Sequence, residues 1–276
     1  MSELETRLGL KKMENETARI PILRLTEEGK SSIEGVVVRE FALTIILNNQ
    51  ELVTLLCSPT NLKYLTVGFL FSEGLLNRKD EVKKIVVDDR RGVVRVEAEG
   101  AGDLDRDVLF KRLITSGCGR GASFYSAADV QNLAKVESRL EVATHDVLNL
   151  VSDFQHRSLV YKETGGVHSA ALCDTRDILI FSEDIGRHNA VDKIFGECLL
   201  KDITTDNRLI ITSGRVSSEI LLKVAKRGIP VLVSKSAPTD LGVKLATDLG
   251  VTLVGFARGK RMNVYAHSWR IVADGG

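Results

Sequence analysis

The sequence predicts a two-domain α/β protein whose N-terminal part is α+β. From about residue 167, short apolar runs rich in β-branched residues alternate with helical segments, which indicates a helix-covered mixed sheet. Before that point, β-rich pieces surround one helical segment without regular alternation. The 276 residues, 43% apolar and 27% charged, suffice for two domains with buried cores. We place the domains at 1–115 and 116–276.

The elements of the first domain follow from periodicity and turn residues. Alternating and continuous apolar runs predict strands at 20–25, 34–40, 41–47, 51–57, 83–88 and 93–97. Residues 61–72 carry Leu62, Leu65, Phe69 and Leu70 at helical spacing, and Gly74 ends this predicted helix.

The second domain is predicted to contain more helices. Ser126 is a candidate N-cap for a helix over 127–140, and a second helix is expected at 146–155. Strands are then predicted at 167–173, 178–181, 208–212, 230–234, 251–256 and 262–267, with helices at 189–200, 217–226 and 239–249.

A glycine-rich segment at 115–122, Thr-Ser-Gly-Cys-Gly-Arg-Gly-Ala, opens the second domain. Glycine allows positive φ and close approach to another molecule. Arg120, two residues from Cys118, favours the thiolate, which is the reactive form of cysteine. The segment therefore predicts sulfur chemistry at Cys118. The other cysteines, Cys57, Cys173 and Cys198, occupy strand or helix contexts and are interpreted as packing residues.

Polar loops follow three predicted strands, at 182–189, 213–218 and 235–240. Ligands of open α/β sheets bind beyond the carboxyl ends of the strands, where free N–H groups at helix starts favour anions. Arg187, Arg215 and Lys235, with neighbouring serines, would add donors for a phosphate-bearing ligand. The alternative is that these residues are only caps and turns.

Two further features suit the same ligand. A turn with Arg258, Lys260 and Arg261 joins the last two predicted strands, and it is either a pyrophosphate clamp or a solvated hairpin tip. His168 starts a strand after a glycine pair. With His188 it is a candidate for orienting a ligand or moving a proton, although a lone histidine is more often structural.

Composition argues against several classes of protein. A net charge of +1 disfavours nucleic-acid binding, and no apolar run approaches the roughly 18 residues of a membrane span. The start lacks a secretory pattern, so we expect a cytoplasmic protein. A zinc-dependent deaminase is disfavoured, because His168-Ser169-Ala170 lacks the Glu of an H-x-E signature and no P-C-x-x-C follows. No metal site is expected.

Several motifs together identify a family resemblance. They are Gly-Phe-Leu-Phe-Ser-Glu-Gly at 68–74, Thr-Gly-Gly-Val-His at 164–168, Glu-Asp-Ile-Gly-Arg-His-Asn-Ala-Val-Asp-Lys at 183–193, Thr-Ser-Gly-Arg at 212–215, Ser-Ala-Pro-Thr at 236–239 and Gly-Phe-Ala-Arg-Gly-Lys-Arg-Met-Asn-Val-Tyr at 255–265. From about residue 20 to its end the chain resembles the formate dehydrogenase accessory sulfurtransferases, the FdhD family.

The resemblance implies a cytoplasmic sulfur carrier required for formate dehydrogenase activity. Such a carrier takes sulfur from a cysteine desulfurase as a persulfide, at the position of Cys118. It passes the sulfur to the molybdenum cofactor in its bis(molybdopterin guanine dinucleotide) form, bis-MGD, before insertion into the enzyme. The family also suggests a homodimer and a cytidine-deaminase-like second domain without the zinc site.

The resemblance also extends the set of expected ligand-binding residues, for which guanine nucleotide is a mimic of the cofactor. The family's cofactor-binding segment matches 256–261, and the strand-end loops complete the set. The expected binding residues are Phe256, Ala257, Arg258, Gly259, Lys260, Arg261, His168, Arg187, His188, Asn189, Ser213, Arg215 and Ser236.

One departure from the family matters for mechanism. Members often carry C-x-x-C in this segment, but here the second position is Gly121. A second thiol could attack the persulfide and leave a disulfide; without it, Cys118 must act alone or be reset by an outside thiol. The departure leaves open an alternative, a cofactor-binding chaperone for a molybdenum or tungsten enzyme without sulfur transfer.

Overall fold

A computed structural model describes residues 13–99 and 133–273. In the first of these ranges, a four-stranded sheet has the strand order β4-β3-β6-β5, and β1 and β2 form a separate antiparallel ribbon. The elements are β1 (Thr17–Thr26), β2 (Gly29–Val38), β3 (Phe41–Leu47), β4 (Gln50–Cys57), α1 (Leu62–Ser72), a 3₁₀ turn (Lys79–Glu81), β5 (Val82–Asp88) and β6 (Val93–Ala98).

Helix α1 is buried on nearly all sides because it lies between this sheet and the second domain. Its residues Leu62, Leu65, Phe69 and Leu70 pack on the inward side chains of β3 and β6. Its opposite side contacts a helix of the second domain. A helix that is apolar on all sides is typical of such a fully buried position.

The second domain is built on a mixed sheet. In the range 133–273, six strands have the order β13-β12-β11-β10-β8-β9, and a short pair joins β7 to β14. Its elements are β7 (Val142–Ala143), α2 (Thr144–Arg157), α3 (Leu159–Thr164), β8 (His168–Cys173), β9 (Ile178–Asp184), α4 (Arg187–Lys201), β10 (Leu209–Thr212), α5 (Ser218–Ala225), β11 (Val231–Ser234), α6 (Asp240–Leu249), β12 (Thr252–Arg258), β13 (Arg261–Ala266), a 3₁₀ turn (Ser268–Arg270) and β14 (Ile271–Val272).

Helices cover both faces of this mixed sheet. Alternate strand residues such as Leu172 and Ile210 pack with α4, α5 and α6 in one apolar cluster. Their neighbours, such as Ala171 and Ile211, pack with α2 in a second cluster. The predicted fold class, α/β with an α+β N-terminal part, is therefore confirmed. The predicted boundary at residue 115 lies outside the described residues.

The predicted helix over 127–140 is wrong in its described part, because residues 133–141 form neither helix nor strand. The side chain of Arg270 donates hydrogen bonds to the carbonyls of Val136 and Ser138, and the Val136 amide donates to Leu249. These partners satisfy backbone groups that a helix would pair internally.

Two smaller differences concern elements near the site. Strand β9 runs three residues past the predicted end, because Ser182, Glu183 and Asp184 continue the antiparallel register against β8. The short helix α3 was not predicted. Among the described residues, no helix is long and apolar enough to cross a membrane.

Candidate functional site

The sheet order brings the polar loops to one edge. Strands β10, β11 and β12 are parallel, and β8 runs antiparallel between β9 and β10. The carboxyl ends of β9 to β12 and the start of β8 therefore lie at the same edge, together with the start of β13, which is antiparallel to β12. The prediction that the strand-end loops share one edge is confirmed.

Hydrogen bonds join the loop after β10 to the loop after β11. These two loops, residues 213–217 and 235–239, are called the ledge below. The Val216 amide donates to the Ala237 carbonyl over 3.1 Å, and the Thr239 amide donates to the Val216 carbonyl over 2.9 Å. The Ser234 hydroxyl donates to the Gly214 carbonyl over 2.7 Å. These hydrogen bonds fix the two loops relative to each other without a ligand.

A cavity of about 460 Å³ opens beside this ledge and is lined by His168, Ser213 and Lys235. Its volume lies within the range of small-molecule sites. The Ser213 hydroxyl accepts a 2.9 Å hydrogen bond from the Ser169 amide and lies 3.4 Å from His168 Nδ1. The side chain of Ser213 is therefore held in place, with His168 directly beside it.

Burial changes the acid–base properties of this cavity wall. Desolvation and the nearby Arg187 lower the pKa of His168, so its imidazole is neutral at pH 7. Desolvation also lowers the pKa of Lys235. A neutral imidazole can both accept and donate a hydrogen bond, which suits ligand orientation.

The rest of the cavity lining includes residues for which the sequence pattern predicts no ligand contact. They come from α2, α3 and the turn before β8, and they are Phe154, Gln155, Ser158, Tyr161, Gly165 and Gly166. The Gly165-Gly166 pair in the sequence was the available signal. The exposed ring of Tyr161 and the Gln155 amide are additional candidate contacts for a ligand.

The first turn of α4 carries Arg187, His188 and Asn189, which differ in accessibility. Arg187 is half-buried, whereas His188 and Asn189 are buried. The Asn189 amide donates to the Leu56 carbonyl over 2.9 Å and to Asp184 over 2.8 Å. Asn189 therefore connects the two domains, and ligand contact by it remains a prediction.

His188 is placed to remain uncharged. Its Nε2 lies 3.4 Å from a carboxylate oxygen of Glu219. Desolvation, with Lys223 and Arg187 nearby, lowers the pKa of His188 to about 3. This pKa argues against proton transfer by His188 near neutral pH, one of the roles considered for it.

The β12–β13 turn lies farther along the same edge. Adjacent strands are about 4.8 Å apart, so β12 is about 10 Å from β10. Arg258, Gly259, Lys260 and Arg261 are exposed at this turn, where Gly259 has a φ of 57°.

The neighbouring binding candidates differ in exposure. Ala257 is fully buried in the core, so its side chain is not available to a ligand. Phe256 and Ser236 are half-buried, and the Ser236 carbonyl accepts a 3.1 Å hydrogen bond from the Phe256 amide; Arg215 is exposed. Ser236 therefore connects the ledge to the β12–β13 turn.

The cysteines of the described residues are not nucleophiles. Cys57, Cys173 and Cys198 are buried, and burial raises the pKa of each to about 12. Their interpretation as packing residues is confirmed. Cys118 and its glycine-rich segment lie outside the described residues. Within the described ranges, no cluster of three or more His, Cys, Asp or Glu side chains could hold a metal ion.

Comparisons with known proteins agree in sequence and structure. A family model described as the FdhD/NarQ family matches residues 38–272. The chain is 44% identical over 246 residues to the sulfur carrier protein FdhD of Bacillus subtilis, covering 89% of this chain and 94% of that protein. It is 42% identical over 253 residues to the protein of the same name from Staphylococcus aureus, covering 91% and 95%.

A solved structure resembles the whole fold. It is a crystal structure described as that of a formate dehydrogenase accessory protein from Desulfotalea psychrophila, with a TM-score of 0.78 and 26% identity. The match covers 93% of this chain and 100% of that chain. Both domains are therefore shared with these relatives.

Proposed function

The chain belongs to the FdhD/NarQ family, and from this premise we propose that it is a sulfur carrier required for formate dehydrogenase activity. It accepts sulfur from a cysteine desulfurase as a persulfide on Cys118 and delivers it to bis-MGD before the cofactor enters the enzyme. It acts in the cytoplasm as a homodimer. Support comes from the names of the relatives at 42–44% identity and from the glycine-rich cysteine segment.

The observation that carries this proposal is the polar edge of the second domain. Loops after four strands bring cationic and hydroxyl side chains to one side of the sheet, next to a cavity lined by His168, Ser213 and Lys235. A nucleotide-sized part of bis-MGD binds in this cavity. The phosphates of bis-MGD contact Arg187 and the turn containing Arg258 and Arg261. Arginine suits this role because its planar fork matches phosphate oxygens.

The first sulfur transfer is an exchange between two cysteines. The Cys118 thiolate attacks the terminal sulfur of the desulfurase persulfide, a new S–S bond forms on Cys118, and the desulfurase cysteine leaves as a thiolate. No net oxidation occurs. Arg120 assists by favouring the thiolate form of Cys118.

Release of the sulfur as sulfide requires two electrons. An external thiol attacks the inner sulfur of the Cys118 persulfide, so that sulfide leaves and a mixed disulfide remains on Cys118. A second thiol breaks that mixed disulfide, which restores Cys118 and yields an oxidised disulfide of the two thiols. In a C-x-x-C segment the neighbouring cysteine replaces the first external thiol, but Gly121 removes that route.

The test separates loading from binding. After incubation with a desulfurase and cysteine, intact-mass analysis of the wild type should show an increase of about 32 Da, one sulfur atom, located on Cys118. Cys118→Ala should lose this adduct and fail to mature formate dehydrogenase while still binding GDP. Ser116→Ala, in the same segment, is the matched control. Normal maturation by Cys118→Ala would refute the carrier function.

Gly121 favours a second candidate function, a cofactor-binding chaperone without sulfur transfer. This alternative predicts GDP binding by the wild type but no adduct under conditions that load a two-cysteine relative. Cys118→Ala would then mature the enzyme normally. The mass measurement and the maturation assay together therefore distinguish the two functions.

A further inference from the structure

The buried carboxylate of Asp184 organises the loop between β9 and α4. Within the described residues its Oδ1 accepts hydrogen bonds from the Gly186 amide at 2.9 Å and the Asn189 side chain at 2.8 Å. Its Oδ2 accepts from the Ser58 amide at 3.0 Å and from Lys193 Nζ at 2.7 Å. Asp184 is fully buried, so these donors replace its water shell.

One of these donors, Ser58, comes from the other domain. Ser58 directly follows strand β4 and is 1% exposed. Besides donating its amide hydrogen to Asp184, it accepts a 3.2 Å hydrogen bond at its hydroxyl oxygen from the Ile185 amide. Two residues earlier, the Leu56 carbonyl accepts the bond from Asn189. The N-terminal domain thus holds the chain two residues before Arg187, at Ile185, and two residues after it, at Asn189.

These contacts determine the position of Arg187. The loop between β9 and α4 has only two residues, Ile185 and Gly186, and the amides of both are held, one by Ser58 and one by Asp184. On the other side, the stem of Arg187 packs on Gly214, where an added Cβ would lie 2.9 Å from Arg187 Cβ and 3.0 Å from its Cδ. The base of this side chain is therefore fixed from both domains.

We propose that Ser58 is a positioning residue through which the N-terminal domain holds Arg187 in place for the phosphate groups of the ligand. This inference rests on the proposed function, because it assigns Arg187 to phosphate contact. The N-terminal domain therefore contributes to ligand recognition, although Ser58 itself lies behind the loop. The serine hydroxyl matters here because without it the half-buried Ile185 amide would lose its hydrogen-bond acceptor in the protein, and the loop before Arg187 would lose that tether.

The test is a double-mutant cycle on ligand affinity. GDP and guanosine are titrated into the wild type, Ser58→Ala, Arg187→Met and the double variant. We expect Ser58→Ala to weaken GDP binding about tenfold, in keeping with the loss of one buried hydrogen-bond partner, and to leave guanosine binding unchanged. In the Arg187→Met background, Ser58→Ala should have no further effect on GDP.

The controls address general structural effects. Thr54→Ala removes an exposed hydroxyl on β4 that pairs with Thr44 and should behave as wild type. Ser58→Thr retains the hydroxyl and should restore GDP selectivity. If Ser58→Ala does not fold, Ser58→Cys retains the volume with a weaker acceptor and should shift GDP affinity in the same direction.

Each outcome bears on a different claim. Equal loss of GDP and guanosine affinity in Ser58→Ala, or an additive loss in the double variant, would refute the positioning role. If the wild type binds GDP no better than guanosine, the proposed phosphate site fails and this inference fails with it. A wild type that prefers GDP, with a Ser58→Ala variant that keeps the preference, refutes only the inference.

Discussion

The crossing of α1 and α4 provides a sharp test of how the two domains are joined. The helices meet at two glycines, Gly68 on α1 and Gly196 on α4. A Cβ added to Gly68 would lie 1.7 Å from the Asp192 carbonyl oxygen, and one added to Gly196 would lie 1.9 Å from the Tyr64 carbonyl oxygen. Both obstacles are backbone atoms, so no side-chain rotation can relieve the contact.

The expected cost of Gly68→Ala follows from this geometry. A carbon–oxygen contact normally begins at about 3.3 Å, so the helices must separate by about 1.6 Å. Overpacking of this kind typically costs about 1–3 kcal/mol, and the gap weakens dispersion along the interface. Separation also strains the 2.6 Å hydrogen bond from Ser72 to Asp192. Alanine recovers about 1 kcal/mol through helix propensity, so from the upper end of the overpacking range we expect a net loss of about 2 kcal/mol.

Urea unfolding followed by circular dichroism measures this loss. Lys63→Ala, an exposed change on the same helix, is the control and should stay within about 0.5 kcal/mol of the wild type. Gly196→Ala should show a loss similar to that of Gly68→Ala, and the two should be less than additive because one separation relieves both contacts. A Gly68→Ala protein as stable as the wild type would show that the helices do not cross at this point.

Three further predictions concern other parts of the molecule. Because the pKa of His188 falls from 6.5 to about 3 on folding, its contribution to stability is complete above pH 6.5 and is lost as the pH decreases. In urea titrations, His188→Gln should therefore reduce the difference in unfolding free energy between pH 7 and pH 5 by about 2 kcal/mol. An unchanged difference would contradict this. Arg270→Met removes hydrogen bonds to three backbone carbonyls and one threonine hydroxyl. It should lower the free energy of unfolding by about 3–5 kcal/mol. The exposed change Arg139→Met is the control and should leave that free energy unchanged. Gly121→Cys should release sulfide from a loaded Cys118 without added thiol, as measured by a sulfide assay, and a continued need for thiol would argue against the two-cysteine route.

The arrangement of the site could be predicted where it depends on sheet topology. Short apolar strands alternating with helices imply parallel neighbours, and the carboxyl ends of parallel strands lie at one edge. Strand order and direction alone therefore place the loops that carry Arg187, Arg215 and Lys235 at one edge.

Other features depend on contacts between residues far apart in the chain. Residues 133–141 are held by Arg270, more than 120 positions later, so local helix propensity did not determine their conformation. The α3 helix has six residues, too few to show a helical period. Asn189 is buried and donates a hydrogen bond to the Leu56 carbonyl in the other domain, a contact that no sequence pattern in 183–193 indicates.

Helix α4 links the proposed ligand site to the domain interface. Its first turn carries Arg187, and its middle packs on α1, where Asp192 accepts hydrogen bonds from Ser72 and from the buried Lys223. The Asp192–Lys223 ion pair joins α4 to α5 within the second domain. Because removing one partner of a buried pair is costly, the pair keeps Asp192 in place to accept the Ser72 hydrogen bond from the N-terminal domain. In the proposed site, an arginine whose side-chain base is already held would lose less conformational freedom on contact with a phosphate. Loosening the α1–α4 crossing with Gly68→Ala should therefore reduce GDP selectivity as well as stability.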